Sequence, residues 1–163
     1  PSLAETEVGP LILPREVDRV HTWVEHAIAN GAELLTGGEA IGETLYQPTV
    51  LFDPDPDSMV SKEEIFGPVV CVYPYKDRLE AIQRANSLDV AFQAAVYTDD
   101  LQVALDTVKR LDATAVMVND HTAFRADWMP FAGRRASGYG VGGIGYTMRD
   151  MVQTKMTVIK IHQ

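Results

Sequence analysis

Between Val69 and Val118 the chain repeats one arrangement, and that arrangement admits few folds. Three apolar runs of strand length, Val69-Val-Cys-Val-Tyr73, Ala94-Ala-Val-Tyr97 and Ala115-Val-Met-Val118, alternate with two amphipathic stretches. Continuous apolar runs without polar alternation read as strands covered on both faces. Asp77 with Glu80 three residues on is a helix-start signature, followed by Leu79, Ile82, Ala85 and Leu88. Asp99-Asp100 opens a second helix, with Leu101, Ala104, Leu105, Val108 and Leu111 predicted to face inward. Strands separated by one helix and short links pair in parallel, through right-handed crossovers. The expected class is α/β, a parallel sheet with flanking helices.

The flanks are less regular. Val17, Val20, Val24, Ala27 and Ile28 fall at spacings of three and four, predicting a helix over 14–30. Pro14 suits its first position and Gly31 its C-terminal cap. Gly37-Gly38 is a turn and Thr49-Val-Leu-Phe52 a short strand. Asp53-Pro-Asp-Pro-Asp57 is a rigid acidic loop, because each proline bars a helix through the residue before it. Residues 119–147 form a long irregular stretch rich in Gly, Arg and aromatics. It leaves the carboxyl end of the Ala115–Val118 run, where open parallel sheets carry their sites. Met156-Thr-Val-Ile-Lys-Ile161 is a β-prone segment at the terminus.

Length and charge exclude several function classes. The 163 residues suit one domain with a real core. The net charge of −9 disfavours nucleic acid or an anionic membrane as a partner. Neither a signal peptide nor an apolar run long enough to span a bilayer is expected. One cysteine, Cys71, allows no internal disulfide and suits a reducing cytoplasm. The opening Pro/Ser/Glu/Thr-rich stretch reads as a linker, as if the chain were a piece of something longer.

Several motifs have plain structural readings. Gly140-Val-Gly-Gly-Ile-Gly145 is a literal G-x-G-x-x-G, but no buried strand precedes it and no acidic residue follows at the required distance, so it reads as a loop. His21 and His26 are off one helical face, and His121 and His162 lack ligand companions, so no metal site is expected. Cys71, inside a buried strand, reads as a small hydrophobe with a raised pKa. Ser61-Lys-Glu-Glu64 reads as a capping box and Phe66 as core. Arg125 reads as a solvated charge, paired with Asp127 or Asp120 at most.

Taken together, the motifs resemble the NAD(P)-dependent aldehyde dehydrogenase superfamily. Lys62-Glu-Glu-Ile-Phe-Gly-Pro68 is similar to its E-E-I-F-G-P motif. Glu7-Val-Gly-Pro-Leu-Ile12, Ala94-Ala-Val-Tyr97, Val118-Asn119, Pro130-Phe-Ala-Gly133, Ser137-Gly-x-Gly140 and Thr154-Lys155 follow in the family's order. Two departures stand out: Ala132 where P-F-G-G is common, and Val141-Gly142 where arginine-glutamate is usual.

The resemblance implies the catalytic-domain fold, with residues 1–153 as its C-terminal part and 154–163 as an oligomerisation strand that builds a homo-oligomer. It implies oxidation of an aldehyde to the acid through a cysteine thiohemiacetal, with NAD or NADP as cofactor. It places the nucleophilic cysteine, the general-base glutamate and the cofactor-binding domain before Pro1, so no catalytic residue is expected in this chain and the chain alone should be inactive. Glu64 matches the carboxylate that binds the nicotinamide ribose hydroxyls, and Phe66 the aromatic beside that ribose. Phe124 matches a residue lining the aldehyde tunnel, and Asn119 an asparagine near the same wall. The stretch Asn119–Pro130 most resembles family members acting on small anionic aldehydes, of the phosphonoacetaldehyde dehydrogenase kind, with Arg125 as the countercharge. The competing expectation is a non-catalytic oligomerisation or binding module on the same fold.

Overall fold

Pro14 opens α1 (Pro14–Ala29) at its first turn, where a missing N–H costs nothing, and Asn30 and the left-handed Gly31 (φ 102°) close it. The computed structural model describes residues 4–161. It divides into two compact units, one up to Lys76 and one from Asp77.

In the first unit, α1 buries Val17, Val20, Val24 and Ala27. Ile28, read as part of that stripe, is 37% exposed. A period defines a face but not how far the neighbouring elements extend along it. The chain then forms β1 (Glu33–Thr36), unforeseen because none of its residues is buried. β2 (Thr49–Phe52) follows, then α2 (Met59–Lys62) and β3 (Val69–Val72). β1 pairs antiparallel with β2, and β2 pairs in parallel with β3 in the register Thr49↔Val69 to Phe52↔Val72. One core joins α1 to the sheet: Val20, Val24, Leu51, Tyr46 and Val60, with Trp23, Ile65, Val69 and Cys71 packed against it.

The expected capping box is not formed. Ser61 lies inside α2, whose N-cap is Ser58 and whose last residue is Lys62. The Ser61 hydroxyl instead contacts the Tyr73 hydroxyl (2.6 Å) and the Asp55 carbonyl (2.7 Å). The same four-residue spacing serves any turn that begins near a serine, and the Asp53–Asp57 loop starts this one three residues earlier.

The second unit runs α3 (Arg78–Ala85), β4 (Val90–Ala91), β5 (Gln93–Val96), α4 (Leu101–Arg110), β6 (Ala115–Val118), β7 (Arg134–Arg135) and α5 (Ile144–Asp150). Asp77 caps α3 by accepting from the Leu79 amide, and Asp100 caps α4 by accepting from Gln102 and Val103. β5 and β6 are parallel, Gln93↔Ala115 through Val96↔Val118. The parallel strands thus fall in two sheets: β3 pairs with β2, not with β5.

The helix faces differ from the apolar pattern. In α3, Ile82 is buried while Leu79 and Ala85 are exposed. In α4, Leu101 and Leu105 are 68% and 56% exposed, whereas Ala104 and Thr107 are buried. Thr107 can be buried because its hydroxyl donates to the Val103 carbonyl and accepts from Arg78, which also pairs with Asp106. A partnered hydroxyl therefore takes the inward position that apolarity assigned to leucine. The stretch read as irregular also ends in α5, which starts at the left-handed Gly143.

Among the described residues the β-prone segment has no strand partner. Met156, Val158, Ile159 and Ile161 are each about four-fifths exposed, and positions 162 and 163 of the expected oligomerisation strand lie outside the described residues. Among the described residues no helix is long and apolar enough to cross a membrane.

Candidate functional site

Two loops carry the sequence-predicted residues, one in each unit. In the first unit, residues 63–68 link α2 to β3. Both ends of this loop are fixed: the Glu63 amide donates to Met59 O, and the Thr49 amide donates to Pro68 O at 2.8 Å. Its middle is held by α1. Arg19 Nη2 donates to the Ile65 carbonyl at 2.6 Å while its Nε donates to Glu16 at 2.7 Å. The same guanidinium lies 4.4 Å from the Trp23 ring centre. The bond from Arg19 holds the Glu16 carboxyl below the ordinary carboxylate range. Gly67 lies against the buried Val20, where a Cβ would come within 2.9 Å of Val20 Cγ2.

Between these anchors Phe66 takes a left-handed backbone (φ 46°), a conformation that L side chains avoid and that persists where its surroundings enforce it. Phe66 is 75% exposed, so its core reading is overturned. Glu64 is exposed, and no hydrogen bond or ion pair to it forms among the described residues. The loop thus presents a carboxylate with both oxygens unengaged, two residues from an exposed aromatic face. A carboxylate that can accept from two hydroxyls, beside an aromatic ring, fits a vicinal diol next to a flat heterocycle, as in a nicotinamide riboside.

In the second unit, the chain leaving β6 carries Asn119, Phe124 and Arg125. Asn119 is also left-handed (φ 56°), a state asparagine tolerates. Its side chain accepts from the Thr98 amide at 2.8 Å and donates to the Thr98 carbonyl at 3.0 Å. It therefore ties the ends of β5 and β6 together and aims the loop. Phe124 is half-exposed at 46%. Arg125 donates to the Pro130 and Met129 carbonyls, each at 3.2 Å, and its guanidinium lies 4.8 Å from the Phe131 ring centre. Phe131 in turn meets Phe92 edge-on at 5.0 Å. The expected pairing of Arg125 with Asp127 or Asp120 is not formed. The other N–H donors of the guanidinium fork remain available on an exposed face.

The glycine run closes this loop. Gly142 exchanges both backbone hydrogen bonds with Phe131, at 2.7 and 3.0 Å, and Ser137 Oγ accepts from the Ala91 amide. Gly133 is required because a Cβ there would meet the Ser137 backbone at 2.6 Å. Arg134 and Arg135 both bind Asp112, and Arg135 also donates to the carbonyls of Asn86 and Leu88. Phe131, Arg19 and Ser61 were not singled out as site residues. Phe131 lay in a motif without a role, and the partners of Arg19 and Ser61 are too distant in sequence for any local pattern to join them.

Cys71 lies in neither loop. Its thiol is half-buried on β3, lies 3.7 Å from the Val60 carbonyl, and is pushed up in pKa by burial. A thiol so placed is a poor nucleophile.

Comparison with known proteins gives the family. Residues 1–157 match the model of the aldehyde dehydrogenase family. A 3-sulfolactaldehyde dehydrogenase of Priestia aryabhattai is 34% identical over 157 residues, 96% of this chain and 33% of that protein. The structure of aldehyde dehydrogenase 21 from Physcomitrella patens, in complex with the reaction product succinate, superposes with TM-score 0.89 at 36% identity. That alignment covers 94% of this chain and 32% of the other. A glyceraldehyde-3-phosphate dehydrogenase from Methanocaldococcus jannaschii, complexed with NADP, gives 0.84 at 37% identity over 90% of this chain and 32% of its own. The chain spans about a third of the length of the relatives it matches. With a family model matched over 157 of its 163 residues, this chain belongs to the aldehyde dehydrogenase family.

Proposed function

We propose that the chain is the C-terminal part of an NAD(P)-dependent aldehyde dehydrogenase that oxidises a small anionic aldehyde to its acid, and that by itself it does not turn over. A nicotinamide dinucleotide, when bound, supplies the hydride acceptor. Glu64 accepts from the ribose hydroxyls and Phe66 packs beside that sugar, together fixing the reactive ring in place. Phe124 and the Asn119-anchored loop wall the aldehyde. Arg125 pairs with a phosphonate, sulfonate, phosphate or carboxylate on the substrate. Cys71 takes no part, and the attacking thiolate comes from another segment of the complete enzyme. The C-terminal strand pairs with a second copy.

The observation that carries the anionic reading is Arg125 itself, with guanidinium donors left over beside an exposed aromatic at the carboxyl end of β6. This chain carries a net charge of −9, and its field disfavours an anion except beside a local cation such as Arg125. Three relatives whose names carry a sulfonated aldehyde, a phosphorylated aldehyde and a dicarboxylate product support it.

Arg125→Ala in the full-length enzyme tests this. A charge-assisted contact of about 1.5–3 kcal/mol corresponds to a loss of roughly ten- to a hundredfold in kcat/KM on an aldehyde bearing phosphonate or sulfonate. A neutral aldehyde of similar size should be nearly unaffected. Because Arg125 also holds the Met129 and Pro130 carbonyls, equal losses on both substrates would assign it to loop structure and end the anionic reading.

A further inference from the structure

Arg134 and Arg135 are neighbours in sequence, yet both donate to one carboxylate, that of Asp112. Successive side chains of an extended strand point to opposite faces, so two neighbours meet on one acceptor only where the backbone leaves that conformation. Arg135 leaves it, with a left-handed φ of 53°. Such a state persists only where its surroundings enforce it. Here the Arg135 guanidinium is also held by the Asn86 carbonyl, at 3.0 Å, and by the Leu88 carbonyl. Asp112 is fixed in turn: its amide donates to Asn86 Oδ1 at 2.9 Å, and the Asn86 side-chain amide donates to the Arg110 carbonyl at 2.8 Å.

This clamp sets the register of the loop that carries Arg125. β7 pairs antiparallel with β4, Val90↔Arg135 and Ala91↔Arg134, and the Ala136 amide donates to the Asp89 carbonyl at 2.9 Å. In that register the residue after Ala91 runs toward the residues before Arg134. Phe92 and Phe131 accordingly meet edge-on at 5.0 Å. The Arg125 guanidinium lies on the Phe131 ring, 4.8 Å from its centre. Among the described residues no hydrogen bond or ion pair joins Asp112 to Arg125.

We propose that Asp112 is a positioning residue for anion recognition: by gathering Arg134 and Arg135 it holds the left-handed turn that brings Phe131 onto Phe92, the platform on which the Arg125 guanidinium lies, and so governs how well the enzyme tells a charged aldehyde from a neutral one. The proposal rests on the anion role of Arg125 given above. Loss of the carboxylate leaves two adjacent cations without their shared acceptor. The turn then relaxes toward ordinary backbone angles, and the platform shifts beneath Arg125.

The test uses the full-length enzyme with Asp112→Ala, Asp112→Asn, Arg125→Ala and the Asp112→Ala/Arg125→Ala double variant. Two quantities are read: the ratio of kcat/KM on a phosphonate-bearing aldehyde to that on a neutral aldehyde of similar size, and the affinity for phosphonoacetate. Asp112→Ala should lower the ratio about tenfold, since small misplacements of a binding group are costly. It should weaken phosphonoacetate by a similar factor and leave the neutral aldehyde within about twofold of wild type. Asp112→Asn keeps the shape and an acceptor but not the charge, and should fall in between. The double variant should show the ratio of Arg125→Ala alone, because both residues act through one guanidinium.

A wild-type ratio and phosphonoacetate affinity in Asp112→Ala, or in Asp112→Asn should the first not fold, would overturn the proposal. So would equal losses on both aldehydes, the mark of a residue that only holds the fold, or a further fall of the ratio in the double variant. Arg125→Ala separates the two levels. If it leaves the ratio unchanged, the anionic reading fails and takes this inference with it. If it lowers the ratio while Asp112→Ala does not, only the role of Asp112 fails.

Discussion

Single residues decide the geometry of the Glu64 loop. Gly67 has an ordinary backbone, so the constraint on it is space: an added Cβ would stand 2.9 Å from Val20 Cγ2, and Val20 is fully buried in the α1 core. Val20 is branched and locked on a helix, so it can yield only by moving the helix. Gly67→Ala should therefore destabilise by about 1–3 kcal/mol. Urea unfolding checks this, and a variant as stable as wild type would mean that the loop gives way instead of the helix. Tyr46 shows the same core from its polar side: burial first, then the charges of Glu25 and Glu39, push its hydroxyl up to about 12, so it stays neutral beside His21.

At the scale of elements, the second unit ties its short pieces together with ions. Asp112, just before β6, receives Arg134 and Arg135 from β7, and its amide donates to Asn86 beyond α3. The bond from Arg134 is the main cause that holds the Asp112 carboxyl below its ordinary 3.8. A carboxylate depressed in the folded state contributes stability above its unfolded pKa and loses it as pH falls through the folded value. The stability difference between wild type and Asp112→Asn should thus be constant near neutrality and close as pH drops below 3.8. Unfolding curves across that range test it. A gap that persists undiminished in acid would show that the asparagine loses packing, not charge.

For the whole molecule, apolar surface is unevenly placed. The first unit has a continuous core, whereas in the second the buried set among the described residues is Ile82, Ala104, Thr107 and Met117. The terminal stretch is the opposite case: Met151 is 81% exposed, Met156 83% and Ile161 84%. A β-prone stretch of that kind, with no ladder among the described residues, invites a strand from another chain. Removing residues 154–163 from the full-length enzyme should lower its oligomer size in light scattering. An unchanged size would leave the segment without the pairing role proposed for it.

Much of this was legible in the chain itself. Helix α1, strands β2, β3, β5 and β6, and the Asp77 and Asp100 caps follow from local period, apolar runs and side-chain chemistry, which act within a few residues. The motif around Glu64 and Phe66 and the loop after Asn119 were likewise visible as residues. Tertiary structure alone decided three things. It chose β2 as the partner of β3, because an apolar run specifies burial but not its neighbour. It set Ser61 inside a helix and Thr107 inward, because a hydroxyl's cost of burial depends on partners that sequence does not bring together. It turned Phe66 outward in a left-handed conformation, because the Arg19–Ile65 bond and the Val20–Gly67 contact span more than forty residues, beyond the reach of any local preference.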